Sequence, residues 1–266
     1  MTALLAPVLT GRLARRNPVA KLLAAVVPAA VLVATLDPVT PAVVLGLLLL
    51  AVPSTGVDVL SFFRRARPLL FAAVMVGLVN AAFGRTDTGR LLLELGPLAV
   101  TSDGALTGLG IALRLLAIAL PGVLVLAATD PVDLADSLVQ QGRVPPKFAY
   151  GTLAALRLLP LLGEEWQTIA MARRARGFDA GRSPVAAVRL FSSQVLALLV
   201  VAIRRGTRLA TAMDARGFDS GLPRTQARTQ VVTGADVALV AAAVLASAVA
   251  VTVSVGLGTW RPLFGG

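Results

Sequence analysis

The chain has 266 residues, of which 56% are hydrophobic and 15% charged, and its mean hydropathy is +0.82. A water-soluble domain of this length does not need so much apolar surface, so the composition indicates a membrane protein. The sequence contains neither cysteine nor histidine, which excludes disulfides, metal sites built on thiolate or imidazole, and nucleophilic triads that use either residue. The net charge of +11 is explained by basic residues retained in cytoplasmic loops, and we expect no nucleic-acid partner.

Five apolar runs approach the roughly 20 residues that a helix needs to cross the hydrocarbon core of a bilayer. Each is predicted to be a helix, because backbone polar groups in lipid must be hydrogen-bonded internally. The runs are residues 22–36, 39–52, 68–83, 105–129 and 236–261. The predicted fold class is therefore an all-α polytopic membrane protein with about five transmembrane helices and a cytoplasmic helical domain.

The distribution of basic residues predicts the orientation of these helices. Residues 1–21 contain several basic residues, no acidic residue and no signal-peptide cleavage site, and we expect a cytoplasmic N-terminal segment. The loop after the second run holds Arg64, Arg65 and Arg67. The loop after the third run mixes both signs of charge: Arg85, Arg90, Asp87, Glu94 and Asp103. The positive-inside rule places the first of these loops inside and the second outside.

The predicted domains are 1–21, 22–129 with transmembrane helices 1–4, a cytoplasmic segment 130–235, and 236–266 with the last transmembrane helix and a tail. The segment 130–235 is predicted to contain helices at 131–141, with Asp130 as N-cap and Gly142 as stop, at 147–176 and at 184–216. Residues 148–163 and 185–203 are mostly apolar, so two further spans, seven in all, are the alternative. We favour amphipathic helices at the cytoplasmic face, because charged residues, proline and polar residues interrupt both stretches.

The five residues Ala-Arg-Gly-Phe-Asp occur twice, at 175–179 and 215–219. Each copy ends a predicted helix, and Gly177 and Gly217 are expected in the left-handed conformation that closes one. An arginine provides a planar fork of donors that is always charged, so two helix ends present the same contact group. A single Arg-Gly at a helix end is ordinary, and it is the repetition that favours a functional role. We expect Phe178 and Phe218 to anchor each tip in an apolar niche, while Asp179 and Asp219 either orient the arginines or solvate the turn.

Three motifs together resemble the T component of energy-coupling factor transporters, the CbiQ-like family, over nearly the whole chain. They are an early Asn-Pro-x-x-Lys, a central Arg-x-x-Pro with Glu and Ala-Arg-Gly downstream, and the second Ala-Arg-Gly. Their residues are Asn17, Pro18 and Lys21; Arg157, Pro160, Glu164, Glu165, Ala172, Ala175, Arg176 and Gly177; and Ala215, Arg216 and Gly217. The resemblance implies the transmembrane scaffold of a vitamin or transition-metal-ion importer in the plasma membrane.

The resemblance also implies partners and roles. In that family the scaffold binds two cytoplasmic ABC-type ATPase subunits and a small substrate-binding membrane subunit, the S component. Residues 130–235 would then be the coupling domain, and Arg176 and Arg216 would dock into grooves on the ATPases. The chain lacks the Gly-x-x-x-x-Gly-Lys-Ser/Thr phosphate loop, so ATP hydrolysis would occur in trans, and no cofactor is expected.

Other charged residues receive separate predictions. Arg114 inside the fourth run is costly to bury, so it is either an assembly residue or a snorkelling or ion-paired one. Arg157 and Glu164 or Glu165 lie two turns apart on one helix face and are expected to hold helices together. Five arginines are expected to contact solvent or membrane lipid headgroups: Arg173, Arg174, Arg204, Arg205 and Arg208.

Two other functions are weighed against the transporter scaffold. A secondary transporter would need carboxylates inside the membrane, and the apolar runs hold essentially none. A membrane-embedded enzyme would need the only acidic cluster, Asp130, Asp133 and Asp136, of which helix capping explains at least the first two.

Overall fold

The computed structural model describes residues 11–56, 59–83, 91–95, 98–178, 181, 183–218, 226 and 228–260. These residues form an all-α polytopic protein, as predicted. The one addition among the described residues is a short two-stranded β-hairpin, which the sequence analysis does not predict. The helices are α1 (Pro18–Ala34), α2 (Val39–Ala51), α3 (Val59–Phe83), α4 (Ser102–Ala127), α5 (Pro131–Gln140), α6 (Pro146–Ala175), α7 (Pro184–Ala215) and α8 (Gly234–Gly256), with a 3₁₀ turn at Val52–Thr55. The antiparallel strands β1 (Leu91–Leu95) and β2 (Leu98–Thr101) lie between α3 and α4.

The described residues fall into two compact units. The membrane unit comprises residues 11–137 and 230–260, and the hairpin unit comprises residues 138–229. Four described helices are long and apolar enough to cross a membrane: Phe62–Phe83 within α3, α4, α7 and α8. Helices α1 and α2 are apolar but shorter. The five predicted spans thus all coincide with apolar helices, and the further long one, α7, lies in the segment predicted to be cytoplasmic.

The third helix begins earlier than predicted. The sequence placed Arg64, Arg65 and Arg67 in a loop, but α3 already starts at Val59 and all three arginines are helical. Phe62 and Ala66 are buried on one face, and the arginines are exposed on the other. The amphipathic turns therefore extend the apolar helix at its basic end. Arg85, Asp87 and Arg90 lie outside the described residues.

Small residues let α3 and α4 approach closely. Gly77 and Ala81 on α3 face Gly108 and Ala112 on α4, and both pairs have the small-x-x-x-small spacing that brings membrane helices together. A Cβ added to Gly108 would lie 2.4 Å from the carbonyl oxygen of Gly77. No side chain fits between the two backbones at this point.

One end of the membrane unit is fastened by a buried carboxylate. Asp236, in the first turn of α8, accepts hydrogen bonds from the backbone nitrogen of Asn17 at 3.0 Å and from the backbone and hydroxyl of Thr233. Asn17 in turn caps α1 by accepting a bond from Val19 at 2.9 Å. Asp236 is 2% exposed and Asn17 4%. The starts of α1 and α8, 219 residues apart in sequence, are thus held together.

Lys21 belongs to the same end of the unit. The sequence predicts it as the last residue of a cytoplasmic segment, but α1 already begins at Pro18, and Lys21 lies in this helix and is 1% exposed. Its ammonium group donates a hydrogen bond of 2.8 Å to the carbonyl of Ala128, just after α4. A helix leaves its last carbonyls without internal partners, and Lys21 supplies one here.

The opposite end is fastened by Asp37, in the turn between α1 and α2. Its Oδ2 accepts bonds from Thr40 and, at 2.7 Å, from Ser254 near the end of α8. Burial opposes ionisation, but the hydrogen bonds from Thr40 and Ser254 outweigh it, so the pKa of Asp37 lies below its usual value. The contribution of this carboxylate to stability is present at neutral pH and is lost as pH falls through that lowered pKa. Since both ends of α1 and α8 are joined, the two helices run parallel.

We expect Gly108→Ala to destabilise the membrane unit by about 1–3 kcal/mol, because the added methyl group cannot fit against the Gly77 backbone. Gly122→Ala, on the same helix, is the matched control, since a Cβ at that position meets nothing within 4 Å. Thermal unfolding of the detergent-solubilised chain should show a lower midpoint for Gly108→Ala only. Equal midpoints for the two variants would contradict the close α3–α4 contact.

Candidate functional site

The hairpin unit is built on an antiparallel pair of long helices. Side-chain contacts join α6 to α7 near both ends and in the middle of the pair, and a later position in α6 has its partner at an earlier position in or just after α7. The contacts join Tyr150 to Phe218, Glu165 to Arg205, Trp166 to Phe191, and Arg173 to Leu190 and Ser193. The end of α6 therefore lies beside the start of α7, and the end of α7 beside the start of α6.

The two Ala-Arg-Gly copies consequently lie at opposite ends of this pair. Helix α6 contains 30 residues and α7 contains 32. A rise of 1.5 Å per residue makes each helix about 45–48 Å long, which is also the order of the distance between the two copies. One binding site on a partner cannot reach both.

Both helix ends have the same backbone geometry. Arg176 and Arg216 are the C-caps, with φ −89° in each case, and Gly177 and Gly217 follow with φ +78° and +72°. This confirms the predicted left-handed glycines. The amide of Phe178 reaches the carbonyl of Arg173, and the amide of Phe218 reaches that of Met213, both at 3.1 Å.

These bonds define a Schellman closure at each end, together with those from Gly177 to Arg174 at 3.0 Å and from Gly217 to Asp214 at 2.9 Å. The closure fixes where the chain leaves the helix, so Arg176 and Arg216 emerge at equivalent positions. A positive charge is favourable there, because the helix dipole is negative at its C-terminus.

The motif residues are available for contact. Ala175, Arg176, Gly177 and the corresponding Ala215, Arg216 and Gly217 are all exposed. None of the described residues accepts a hydrogen bond from either guanidinium group. Such a group can donate two parallel bonds to a carboxylate or to carbonyl oxygens of a partner. Asp179 and Asp219, expected to orient the arginines or solvate the turn, lie outside the described residues.

The two aromatic residues of the repeat differ in their surroundings. Phe178 is 60% exposed. Phe218 is half-buried and packs edge-on against Tyr150, with ring centroids 6.2 Å apart. Phe218 therefore contacts its own chain, whereas Phe178 has its side chain at the surface, and the apolar niche for each tip stays a prediction.

Two arginines assigned to solvent or lipid headgroups instead join α6 to α7. Arg173 donates to the hydroxyl of Ser193, to its carbonyl at 2.9 Å and to the carbonyl of Leu190 at 3.3 Å. Arg205 forms an ion pair of 2.7 Å with Glu165. Neither contact has a local sequence signal, because the partners are 20 and 40 residues away. By contrast, Arg174, Arg204 and Arg208 are exposed, in line with the prediction.

The proposed assembly residues are not brought together. Arg157 and Glu164 are both exposed on α6, and among the described residues it is Glu165 that pairs, with Arg205 rather than with Arg157. Arg114 lies in the membrane unit and donates to the carbonyls of Thr35 and Asp37. Its guanidinium group therefore supplies hydrogen bonds to backbone carbonyls at the end of α1, and this contact stabilises the membrane unit.

Comparison with known proteins assigns the family. Residues 12–227 match the model of the CbiQ family, described as cobalt transport protein. The chain belongs to this family. It is similar to the energy-coupling factor transporter transmembrane protein EcfT of Heliobacterium modesticaldum, at 33% identity over 73% of this chain and 75% of that protein. The EcfT protein of Bacillus subtilis is 29% identical over 77% of this chain and 80% of its own length.

A third relative, from Bifidobacterium longum, is named as an ABC transporter ATP-binding protein and is 25% identical over 76% of this chain. The match covers 26% of that longer protein. Together these findings show that the chain is the transmembrane component of an energy-coupling factor ABC transporter. The exposed helix ends of α6 and α7 are accordingly the candidate coupling site of this subunit.

Arg173→Ala should loosen the α6–α7 pair by about 1–3 kcal/mol, because three hydrogen bonds from a charged group are lost. Arg174→Ala is the matched control: the side chain of this neighbouring arginine is exposed and, within the described part of the chain, donates only to the carbonyl of Ala170 in its own helix, at 3.5 Å. Amide hydrogen exchange over residues 184–215 should rise in Arg173→Ala and remain unchanged in Arg174→Ala. Unchanged exchange in both variants would show that Arg173 does not brace the pair.

Proposed function

We propose that this chain is the scaffold and coupling subunit of an importer for a vitamin or a transition-metal ion. It transmits the ATP-driven motion of two ABC-type ATPase subunits to a substrate-binding membrane subunit, the S component, and catalyses no reaction itself. The observation that carries the proposal is the placement of two equivalent arginine-bearing helix ends at opposite ends of one helix pair. This geometry suits two partners of the same kind.

The helix pair has the properties of a lever. Arg173 and the ion pair of Arg205 with Glu165 tie α6 to α7 at two levels, so a push on one helix end is carried to the other helix. The Schellman closures hold the backbone of each tip in one conformation. Arg176 and Arg216 therefore have a fixed position relative to their helices, so a displacement of either arginine moves its helix. A flexible terminus would dissipate the same displacement.

The path of the chain supports a cytoplasmic hairpin unit in a plasma-membrane protein. The side chain of Gln230 donates to Asp133 at 3.4 Å, so the chain leaves and re-enters the membrane unit at one place. That place adjoins Lys21 and Asp236, at the basic end of α1. If α7 alone crossed the membrane, the chain would return on the wrong side, and α6, with six charged residues, is not among the apolar spans. These observations favour five spans over seven.

The relatives add support for the partners. EcfT proteins are named as transmembrane proteins of energy-coupling factor transporters. One relative that contains a similar segment is named as an ATP-binding protein. The acidic cluster that an enzyme would need is Asp130, Asp133 and Asp136, and two of its carboxylates accept hydrogen bonds within the chain. Asp130 accepts from the amide of Val132 at 2.7 Å, and Asp133 accepts from the side chain of Gln230. These bonds account for two of the three carboxylates without any catalytic role.

Charge reversal at both tips should abolish uptake. We expect Arg176→Glu combined with Arg216→Glu to lower ATPase copurification and substrate transport at least tenfold, because a carboxylate cannot donate to the groups that accept from arginine. Each single variant should retain one ATPase contact. The measurement is pull-down of the tagged chain with its partners, together with uptake in cells that express the whole transporter.

The matched control is Arg204→Glu combined with Arg208→Glu, which makes the same change in charge at two exposed positions in the interior of α7, away from both tips. This variant should copurify the ATPases as the unmodified chain does. Near-normal transport by the tip variant would remove the coupling proposal. Equal losses in both double variants would attribute the effect to net charge and would likewise contradict it.

A further inference from the structure

The membrane unit contains an apolar cavity that the coupling function does not use. Its volume is about 170 Å³, and it is lined by residues of α1, α2, α4 and α8 and is partly open. Alanines form much of its wall: Ala24, Ala25, Ala51, Ala242, Ala243 and Ala246. An apolar cavity of about 150 Å³ stays dry and accepts a benzene-sized molecule. The size and apolar lining of this cavity are therefore suited to a short length of hydrocarbon.

Two prolines explain why the helices do not close on it. Pro28 lies inside α1 and Pro121 inside α4, and both line the cavity. A proline inside a helix removes a backbone hydrogen bond and favours a bend at that position. With alanines on the facing helices, nothing large enough fills the resulting gap.

Positive charge follows the chain next to the cavity. Leu13 lines the cavity, and in the same turn Arg12 precedes it and Arg15 follows two residues later. This turn, the arginine rim, is fastened to the 3₁₀ turn through the amide of Leu13 and the carbonyl of Thr55, at 3.2 Å. Arg12 and Arg15 are exposed, and none of the described residues accepts a hydrogen bond from them.

The other cations of this region are already engaged. Arg16 lies close enough to Asp236 to act on it electrostatically. Lys21, the one charged residue among those lining the cavity, donates to the carbonyl of Ala128. Arg12 and Arg15 are thus the two charges at the rim that have no counter-charge in the described part of the chain.

We propose that this cavity and its arginine rim bind one anionic phospholipid, with an acyl segment in the cavity and the phosphate on Arg12 and Arg15. Guanidinium groups bind phosphate through paired hydrogen bonds, and basic pockets between membrane helices select anionic headgroups. A zwitterionic lipid would fill the cavity equally but would gain less at the rim. The site lies in the membrane unit and is independent of ATPase coupling.

The test is native mass spectrometry of the full-length chain, delipidated in detergent and titrated with phosphatidylglycerol or with phosphatidylcholine of the same acyl chains. One phosphatidylglycerol should bind in preference to phosphatidylcholine. Arg12→Gln combined with Arg15→Gln should weaken phosphatidylglycerol binding about thirtyfold, from about 1 kcal/mol for each basic residue. Arg64→Gln combined with Arg65→Gln, which removes two exposed charges from α3, should leave it unchanged.

The cavity itself is tested by Ala246→Leu, which should fill it and lower phosphatidylglycerol binding at least tenfold. Ala248→Leu, at an exposed position of the same helix that does not line the cavity, is its control. Equal binding of the two lipids would overturn the proposal. So would a loss confined to the arginine variant with Ala246→Leu unaffected, because that would mean a surface headgroup contact with no acyl site. The arginine variants keep the test decisive if Ala246→Leu does not fold.

Discussion

The membrane unit depends on the pairing of buried polar groups at the ends of its helices. A bilayer offers no water to such groups, so each needs a partner inside the protein. Asp236 joins the start of α8 to the start of α1, and Asp37 joins the end of α8 to the turn after α1. These bonds join the last helix of the membrane unit to its first helix, and the bond from Lys21 to Ala128 joins the end of α4 to α1. Helices α6 and α7 separate α5 from α8 in the sequence. Hydrogen bonds at both ends of α8, in addition to apolar packing, therefore fix its position beside α1.

The hairpin unit uses polar groups differently. Its cross-helix bonds leave the two motif arginines exposed and unpaired by any described residue, while Arg173 and Arg205 are consumed in holding α6 to α7. Arginines of the same helices thus differ in use: some join the two helices, and the motif arginines stay exposed at equivalent caps separated by the length of the pair. In the assembly that we propose, each cap would contact one of the two ATPase subunits.

The sequence was sufficient wherever the signal was local. Glycine after Arg176 and Arg216 predicted both helix ends, and Asp130 followed by proline predicted the start of α5, because caps are decided within a few residues. The start of α3 was predicted too late, because several arginines close together are typical of a loop, whereas here they lie on the exposed face of the helix. Contacts such as Asn17 with Asp236 could not be predicted, because they join residues far apart in the chain and depend on how the helices pack. The same reason hid the close approach of Gly77 to Gly108 and the role of Arg173.

The measurement that tests the coupling account most directly is cross-linking from single cysteines at the two tips. The chain contains no cysteine, so Ala175→Cys and Ala215→Cys each introduce a unique thiol in it, at an exposed position beside a motif arginine. Ala155→Cys, exposed in the middle of α6, is the control. The account predicts that each tip captures an ATPase subunit in the assembled transporter and that the double variant captures two. Capture by neither tip, or by Ala155→Cys as efficiently as by the tips, would contradict it.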